Sequence, residues 1–150
     1  MKRLTLYALI LAFVWIIPVE RTDVAKLSPI EVIAVYQTAD GVQLQTDTGD
    51  FGSGTDAMAA LEHMRQTSSA VIYLDTAEFL LIGQGAETAS EELREELKDS
   101  VKLCGIKDRI QLTNVAAYLE LHGSLPVLEQ WSEENPLPLL TEKRGRYLLQ

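Results

Sequence analysis

The sequence predicts one small domain of the α/β (α+β) class, with a mixed sheet, helices packed on one face, and an N-terminal transmembrane or signal-anchor helix. Short runs rich in β-branched residues alternate with segments that have helical spacing. Hydrophobic residues make up 47% and charged residues 23% of the 150 residues, as in globular domains. An uncharged, mostly apolar run extends from Leu4 to Val19. Together these observations predict an anchored single domain.

The apolar run follows Lys2 and Arg3 and ends before Glu20, so residues 1–20 form the predicted membrane segment. As a helix with a rise of about 1.5 Å per residue it would extend about 24 Å, slightly less than the ~30 Å hydrocarbon core. No Ala-x-Ala cleavage site follows Val19, which favours an uncleaved anchor. A cleaved signal peptide, giving a secreted soluble binding protein, is the alternative.

Charge sets the predicted orientation and excludes one class of partner. The basic residues Lys2 and Arg3 keep the short N-terminal side in the cytoplasm, so the bulk of the chain is expected to be extracytoplasmic. The whole chain carries 13 basic and 22 acidic residues, net charge −9. Nucleic acid is therefore not an expected partner, because phosphate-backbone binding needs a basic face. The expected contacts are the membrane, through residues 4–19, and an unidentified protein partner.

The first part of the predicted domain is a strand hairpin. Residues 21–28 form a polar linker, and the domain extends from 29 to 123. A β-branched run over 30–36 predicts a strand, and Asp40-Gly41 predicts a tight turn. Alternating polar and apolar residues over 42–46 predict the second strand. The glycine-rich residues that follow, 49–54, are expected to form a loop.

A helix and two further apolar segments follow. Thr55 is the expected N-cap of a helix over 56–66, which has a stripe of Met, Leu and Ala residues. Residues 70–74 predict a strand. For residues 79–82, periodicity does not distinguish a strand from a short helix.

The last predicted elements are two helices with a strand between them. Thr88 and Glu91 form a capping-box pattern that predicts a helix over 89–99. A strand is predicted over 101–106, and a helix over 114–122, which Gly123 ends. The remainder, 124–150, contains three prolines and little periodicity. It is expected to be a tail that docks in part through Trp131 and otherwise stays mobile.

The element order ββαββαβα between residues 30 and 122 resembles the N-terminal domain of the spore-germination receptor C subunits. The similarity lies in the hairpin, the helix Ala-Met-Ala-Ala-Leu-Glu-His-Met (57–64), and Tyr73-Leu74 followed by Phe79-Leu80-Leu81-Ile82-Gly83. The resemblance implies a membrane-tethered, extracytoplasmic, non-enzymatic interaction domain related to sporulation or germination. Two features depart from the family: no lipidated Cys follows the apolar run, and 150 residues leave no room for the family's further domains.

Two groups of aspartates suggest an alternative, a small hydrolase. Asp47-Thr48-Gly49 is the triplet of aspartic proteases, and Asp75-Thr76-Ala77 nearly repeats it, so Asp47 and Asp75 are a candidate carboxylate pair. Asp47, Asp50 and Asp56 are the candidate ligands of a metal ion such as Ca²⁺, although their spacing does not match an EF-hand.

The remaining candidates point to contact rather than catalysis. The two histidines, His63 and His122, lack metal-site spacing, and the single cysteine, Cys104, lies in an apolar strand. We therefore expect no catalytic residue, no cofactor and no enzymatic activity. The acidic residues of the second helix are the candidate docking surface for a basic partner: Glu91, Glu92, Glu95 and Glu96.

Overall fold

The computed structural model describes residues 27–122, 124–132 and 135–150. The predicted anchor, residues 4–19, and most of the predicted linker lie outside these ranges. Within them, no helix is both long enough and apolar enough to cross a bilayer.

The described residues form nine strands and three α-helices. The strands are β1 (Leu27–Pro29), β2 (Val32–Thr38), β3 (Gly41–Thr46), β4 (Phe51–Gly54), β5 (Val71–Tyr73), β6 (Phe79–Gly83), β7 (Lys102–Ile106), β8 (Leu139–Lys143) and β9 (Arg146–Leu149). The helices are α1 (Ala57–Thr67), α2 (Glu87–Glu92) and α3 (Val115–His122). Seven strands form one sheet in the order β4-β3-β2-β6-β7-β8-β9, and β1 pairs with β5 in a separate two-stranded sheet.

The centre of the large sheet is parallel and its two ends are antiparallel. β2, β6, β7 and β8 run in the same direction. β3 and β4 continue the sheet as an antiparallel meander on one side, and β9 adds an antiparallel hairpin on the other. The single mixed-sheet domain predicted from the sequence is therefore confirmed. The carboxyl ends of the parallel strands meet at one edge of the sheet.

Helices cover both faces of this sheet, so the prediction that they pack on one face is wrong. Ile33 and Val35 of β2 pack with α1 and α2 in one apolar cluster. Val32 and Ala34, which alternate with them, pack with α3 in a second cluster on the opposite face. The reason is visible in the strands, since Val32 to Val35 and all of β6 are apolar and buried. Parallel strands that are apolar on both faces need cover on both.

Local signals located the hairpin and α1 correctly. Thr38 pairs with Gly41 across a two-residue turn, and Gly41 has the positive φ, 132°, that the Asp-Gly pattern predicts. The predicted helix over 56–66 is α1. Its N-cap is Asp56 rather than Thr55, because the Asp56 carboxylate accepts the Ala59 N–H at 2.7 Å. The undecided segment 79–82 is the central strand β6.

The predicted helix over 89–99 is shorter and begins earlier. α2 ends at Glu92, and a 3₁₀ turn over Arg94–Glu96 follows it. The predicted capping box is absent, because Ala86 occupies the N-cap position and Thr88 lies inside the helix. Leu93 and Leu97 are buried in the cluster under α1. Four residues separate them, a net rotation of only about 40° around an α-helix, so the buried face that the spacing indicates is kept although the α-helix stops at Glu92.

The glycine-rich segment 49–54, predicted as a loop, contains strand β4. Its glycines allow α1 to lie directly on the strand backbone. A Cβ on Gly52 would stand 2.1 Å from the Ala60 carbonyl oxygen, and one on Gly54 would stand 2.5 Å from the Ala60 nitrogen. Gly52 and Gly54 are therefore packing residues, whereas Gly49 lies in the turn before β4 at a positive φ of 91°.

The segment 124–150, predicted as a largely mobile tail, completes the sheet instead. β8 pairs with β7, and Leu140 is fully buried. Trp131 is buried as predicted. The turn between β8 and β9 contains Arg144 and Gly145 at φ of 54° and 72°, the positive values that two-residue hairpin turns use. The last residues of the predicted linker, Leu27 and Ser28, belong to β1.

Candidate functional site

A cleft opens at the carboxyl ends of β6 and β7, where the chain also enters β8. It encloses about 350 Å³. Four aliphatic side chains form most of its wall, and we call it the apolar cleft: Ile82, Ile106, Leu137 and Leu139. Gln84, Glu87 and Lys107 supply its polar groups. It is therefore an apolar space with a few polar groups at the edge where parallel α/β sheets carry ligand sites.

Two glycines shape this cleft for different reasons. A Cβ on Gly83 would stand 2.8 Å from the Val35 carbonyl oxygen, so close packing of β6 on β2 requires glycine there. A Cβ on Gly105 would meet Leu137, Leu139 and Pro138 only at 3.6–3.7 Å, which is ordinary contact. Gly105 is therefore not required by packing, and its missing side chain leaves space in the apolar cleft.

A second, more polar cleft of about 360 Å³ adjoins the first. We call it the polar cleft, and it is lined by Tyr36, Gln37, Thr38, Lys107, Asp108 and Arg109. Gly83 and Gln84 also line it, so these two residues and Lys107 are shared by both clefts. The two spaces thus meet over the ends of β6 and β7.

The polar cleft is locally basic on an acidic protein. Lys107 and Arg109 stand against one carboxylate, Asp108, in a chain of net charge −9. The ion pairs between described residues, Arg65–Glu96 and Arg94–Glu91, include neither cation. The Arg109 guanidinium carbon lies 5.1 Å from the centroid of the Tyr36 ring, a cation–π distance.

The Tyr36 hydroxyl in this cleft has no hydrogen-bond partner among the described residues. The side chain is only 7% exposed, so the hydroxyl is cut off from bulk water. Burial raises the pKa of Tyr36, while the nearby Ile110 N–H and the charge of Arg109 act in the opposite direction. Unpartnered buried hydroxyls are rare because each costs stability.

The two aspartate triplets lie on either side of the start of β2 and bind its backbone. The Asp47 carboxylate accepts the Glu31 N–H at 3.3 Å, and the Thr76 hydroxyl accepts the Ile30 N–H at 3.0 Å. The Asp75 carboxylate beside Tyr73 raises the pKa of the tyrosine hydroxyl. No hydrogen bond joins the carboxyl groups of Asp47 and Asp75 in the part of the chain that the structure describes.

The candidate metal ligands are not brought together. Asp50 accepts a hydrogen bond from the Thr48 hydroxyl at 2.8 Å, and Asp56 caps α1. Asp47 is held by Glu31. Among the described residues, no group of three or more His, Cys, Asp or Glu side chains is placed to bind a metal ion.

Three of the four predicted docking glutamates bind the protein itself. Glu92 accepts the N–H of Ala57, the first residue of α1, at 2.9 Å. Glu96 pairs with Arg65 at 2.6 Å, and Glu91 pairs with Arg94 at 2.9 Å. Glu95 is exposed and forms no hydrogen bond or ion pair with a described residue. The acidic segment therefore fastens α2 to α1.

The histidines and the cysteine also have structural positions. His63 Nδ1 accepts the Ser53 N–H at 3.1 Å and so covers part of the exposed edge of β4. His122 stacks on Tyr118 with ring centroids 4.3 Å apart. Cys104 is fully buried, and burial raises the pKa of its thiol to about 12. A buried thiol that stays protonated is a poor nucleophile.

Three residues of the polar cleft were not predicted as site residues from the sequence: Tyr36, Lys107 and Arg109. A signal was present, since the charged triplet Lys107-Asp108-Arg109 directly follows the strand predicted over 101–106. Its meaning depends on which strands are parallel, because only parallel strands collect their carboxyl ends at one edge.

Comparisons with known proteins add no family assignment. No protein-family model, curated protein or solved structure matches this chain.

Proposed function

We propose that this chain is a membrane-anchored, extracytoplasmic, non-enzymatic domain that binds a small ligand in the apolar cleft. The observation that carries the proposal is the position of that cleft, at the carboxyl ends of β6 and β7. In open α/β sheets, ligands bind outside the carboxyl ends of the strands.

The size and lining of the cleft support binding of a small molecule. Its volume of about 350 Å³ lies within the range of small-ligand sites, about 300–1,000 Å³. Burial of apolar ligand surface against aliphatic walls supplies roughly 25 cal/mol per Å². Gln84, Glu87 and Lys107 would orient the ligand at the rim.

The composition of the same lining supports binding without chemistry. Its side chains include one carboxylate, Glu87, and one amine, Lys107, but neither a hydroxyl, a thiol nor an imidazole. The base-activated hydroxyl or thiol of many hydrolases is therefore missing from this lining, and the aspartates of the hydrolase alternative, Asp47, Asp50, Asp56 and Asp75, lie outside it. This favours a binding domain over the hydrolase alternative.

The location and biological role extend the proposal. An uncleaved helix over residues 4–19 would hold the domain at the outer face of the membrane. The seven residues 20–26 lie between this helix and the start of β1 at Leu27. Fully extended, they can span at most about 25 Å. The resemblance to spore-germination receptor C subunits places the proposed role in sporulation or germination, with a protein partner still to be identified.

Substitution Gly105→Leu tests the cleft. A leucine there fills the apolar cleft without a backbone clash, so binding of a neutral aromatic probe, 1-naphthylacetamide, should weaken at least about tenfold. Binding is followed through the amide NMR signals of Gly83 and Lys107 in the full chain, held in amphipol. Ala117→Leu places the same side chain at an exposed position of α3 and should leave binding unchanged. Undiminished binding to the folded Gly105→Leu variant would contradict the proposed site.

The intact mass of the protein from its native membrane tests the anchor. The expected mass retains Met1 to Glu20. A product about 20–25 residues shorter would mean a cleaved signal and would support the secreted alternative.

A further inference from the structure

The two clefts at the sheet edge are neighbours that share part of their walls, and those walls are of two kinds. Gly83, Gln84 and Lys107 belong to both. Aliphatic side chains line the space on one side of these residues, and hydroxyl, amide and charged groups line it on the other. A ligand lying across the ends of β6 and β7 would therefore meet an apolar wall at one end and a polar wall at the other.

The charges around this space distinguish its two ends. The polar cleft has two cations, Lys107 and Arg109, and one carboxylate, Asp108. The apolar cleft has one carboxylate, Glu87, which does not line the polar cleft. An anionic group is thus attracted to the polar cleft and repelled at the other end, which fixes the direction in which a charged ligand would lie.

Arg109 is placed to receive a carboxylate. Its guanidinium carbon lies over the Tyr36 ring, 5.1 Å from the centroid, and it forms no ion pair with any described residue. A guanidinium without an ion-pair partner has N–H groups that can form two parallel hydrogen bonds to carboxylate oxygens. Asp108 lines the same cleft and partly offsets this field without cancelling it.

The Tyr36 hydroxyl adds a donor that the folded chain leaves unused. It is buried behind the wall of the polar cleft, which other atoms of Tyr36 line, and no described residue bonds to it. Burial raises the pKa of the hydroxyl, so it stays protonated and able to donate at neutral pH. A ligand oxygen in the polar cleft would satisfy this group and offset the stability that it costs.

We infer that the ligand is a small amphipathic carboxylate, with its apolar body in the apolar cleft and its carboxylate in the polar cleft against Lys107, Arg109 and the Tyr36 hydroxyl. This inference rests on the proposed binding function and deepens it by naming the ligand class.

The test compares two probes of the same shape, 1-naphthylacetate and the neutral 1-naphthylacetamide, on the full chain in amphipol. Binding is measured by residue-resolved NMR shifts against the free probe concentration, so uptake by the amphipol does not count. The carboxylate should bind at least about tenfold more tightly, because hydrogen bonds to charged groups are the stronger ones.

The double variant Lys107→Gln/Arg109→Gln should reduce this preference to about twofold or less while the amide still binds. The control Lys98→Gln/Lys143→Gln removes the same charge at exposed positions that line neither cleft, and it should keep the tenfold preference. Equal affinity of the wild type for both probes overturns the inference and leaves the proposed function standing. Failure of both probes to bind, or binding that Gly105→Leu does not weaken, overturns the proposed function as well.

Tyr36→Phe separates a ligand donor from a structural hydroxyl. If the hydroxyl serves a ligand, the variant should have a higher melting temperature without probe, since an unsatisfied buried group is removed. It should also bind 1-naphthylacetate several-fold more weakly and bind the amide with little change. A lower melting temperature with unchanged carboxylate binding would overturn the role of Tyr36.

Discussion

The two ends of the large sheet are built in different ways. At the β4 end, strand and helix backbones touch, since a Cβ on Gly52 would stand 2.1 Å from the Ala60 carbonyl oxygen. At the other end, β8 joins β7 through only two residue pairs, Gly105↔Leu139 and Ile106↔Leu140. There a Cβ on Gly105 would find its nearest neighbours at 3.6 Å. The apolar cleft opens at this second, looser end.

This difference shows why a binding site fits one end of the sheet and not the other. Protein interiors packed at crystal-like density leave no space for a ligand. Leu137 and Leu139, which form one wall of the apolar cleft, belong to the segment that is joined through few pairs. A ligand bound in the apolar cleft would therefore contact the segment that attaches β8 and β9 to the rest of the domain.

The largest effect is expected from adding one methyl group at the tight end. Gly52→Ala forces a Cβ against the Ala60 carbonyl oxygen and the Met64 side chain, so α1 must move away from β4. We expect a loss of more than about 3 kcal/mol in the free energy of unfolding, measured by urea denaturation of the full chain. The matched change at the loose end, Gly105→Ala, should cost less than about 1 kcal/mol. Similar losses in both variants would contradict the contrast between the two ends.

The next effect tests whether β8 belongs to the core. Leu140 is fully buried, so Leu140→Ala should lower the free energy of unfolding by about 2–3 kcal/mol. Leu148→Ala removes the same atoms from a side chain that is 45% exposed, and it should cost well under 1 kcal/mol. If Leu140→Ala were as mild as Leu148→Ala, residues 124–150 would be the tail that the sequence suggested.

The same contrast explains how much of the fold could be predicted. At the β4 end the signals are local: Asp40-Gly41 sets the hairpin turn, and the stripe of α1 sets its buried face. At the β8 end the prolines suggested a tail. Pro126 and Pro138 lack an N–H but still accept hydrogen bonds from Leu103 and Gly105, both at 2.8 Å. The Arg144-Gly145 turn was the one local signal there, and it was missed.

Contacts distant in sequence explain why the candidate site was predicted poorly. The glutamates from 91 to 96 have the pattern of a solvated helix face, but their partners Ala57 and Arg65 lie 35 and 31 residues earlier. The grouping of Tyr36 with Lys107 and Arg109 depends on β2, β6 and β7 being parallel neighbours. Periodicity alone identifies a strand and not its partner.

A moderate effect is expected where α2 is fastened to α1 at the tight end. Glu92→Ala removes the acceptor of the Ala57 N–H at the start of α1 and should cost about 1 kcal/mol. Glu95 lies at an exposed position of the same segment, so the matched change Glu95→Ala should cost less than about 0.5 kcal/mol. Equal losses in urea denaturation would mean that Glu92 does not cap α1. A docking test on the acidic segment should accordingly change Glu95, which leaves the fold intact.

The smallest effect concerns the joint between β7 and β8, where the Cys104 thiol donates to the Pro138 carbonyl oxygen at 3.1 Å. Burial raises the pKa of Cys104 from 9.0 to about 12, so the folded state keeps the thiol neutral while the unfolded chain ionises it. The stability from this difference is complete below pH 9 and is lost as pH rises toward 12. By pH 9.5 the loss should be slightly less than about 1 kcal/mol relative to pH 7.5. Tyr36 and Tyr147 act in the same direction, because burial raises the pKa of both, so the measured quantity is the difference from Cys104→Ala. If the free energy of unfolding fell equally with pH in the wild type and in Cys104→Ala, water would reach the thiol, and the joint would be more open than its hydrogen bonds indicate.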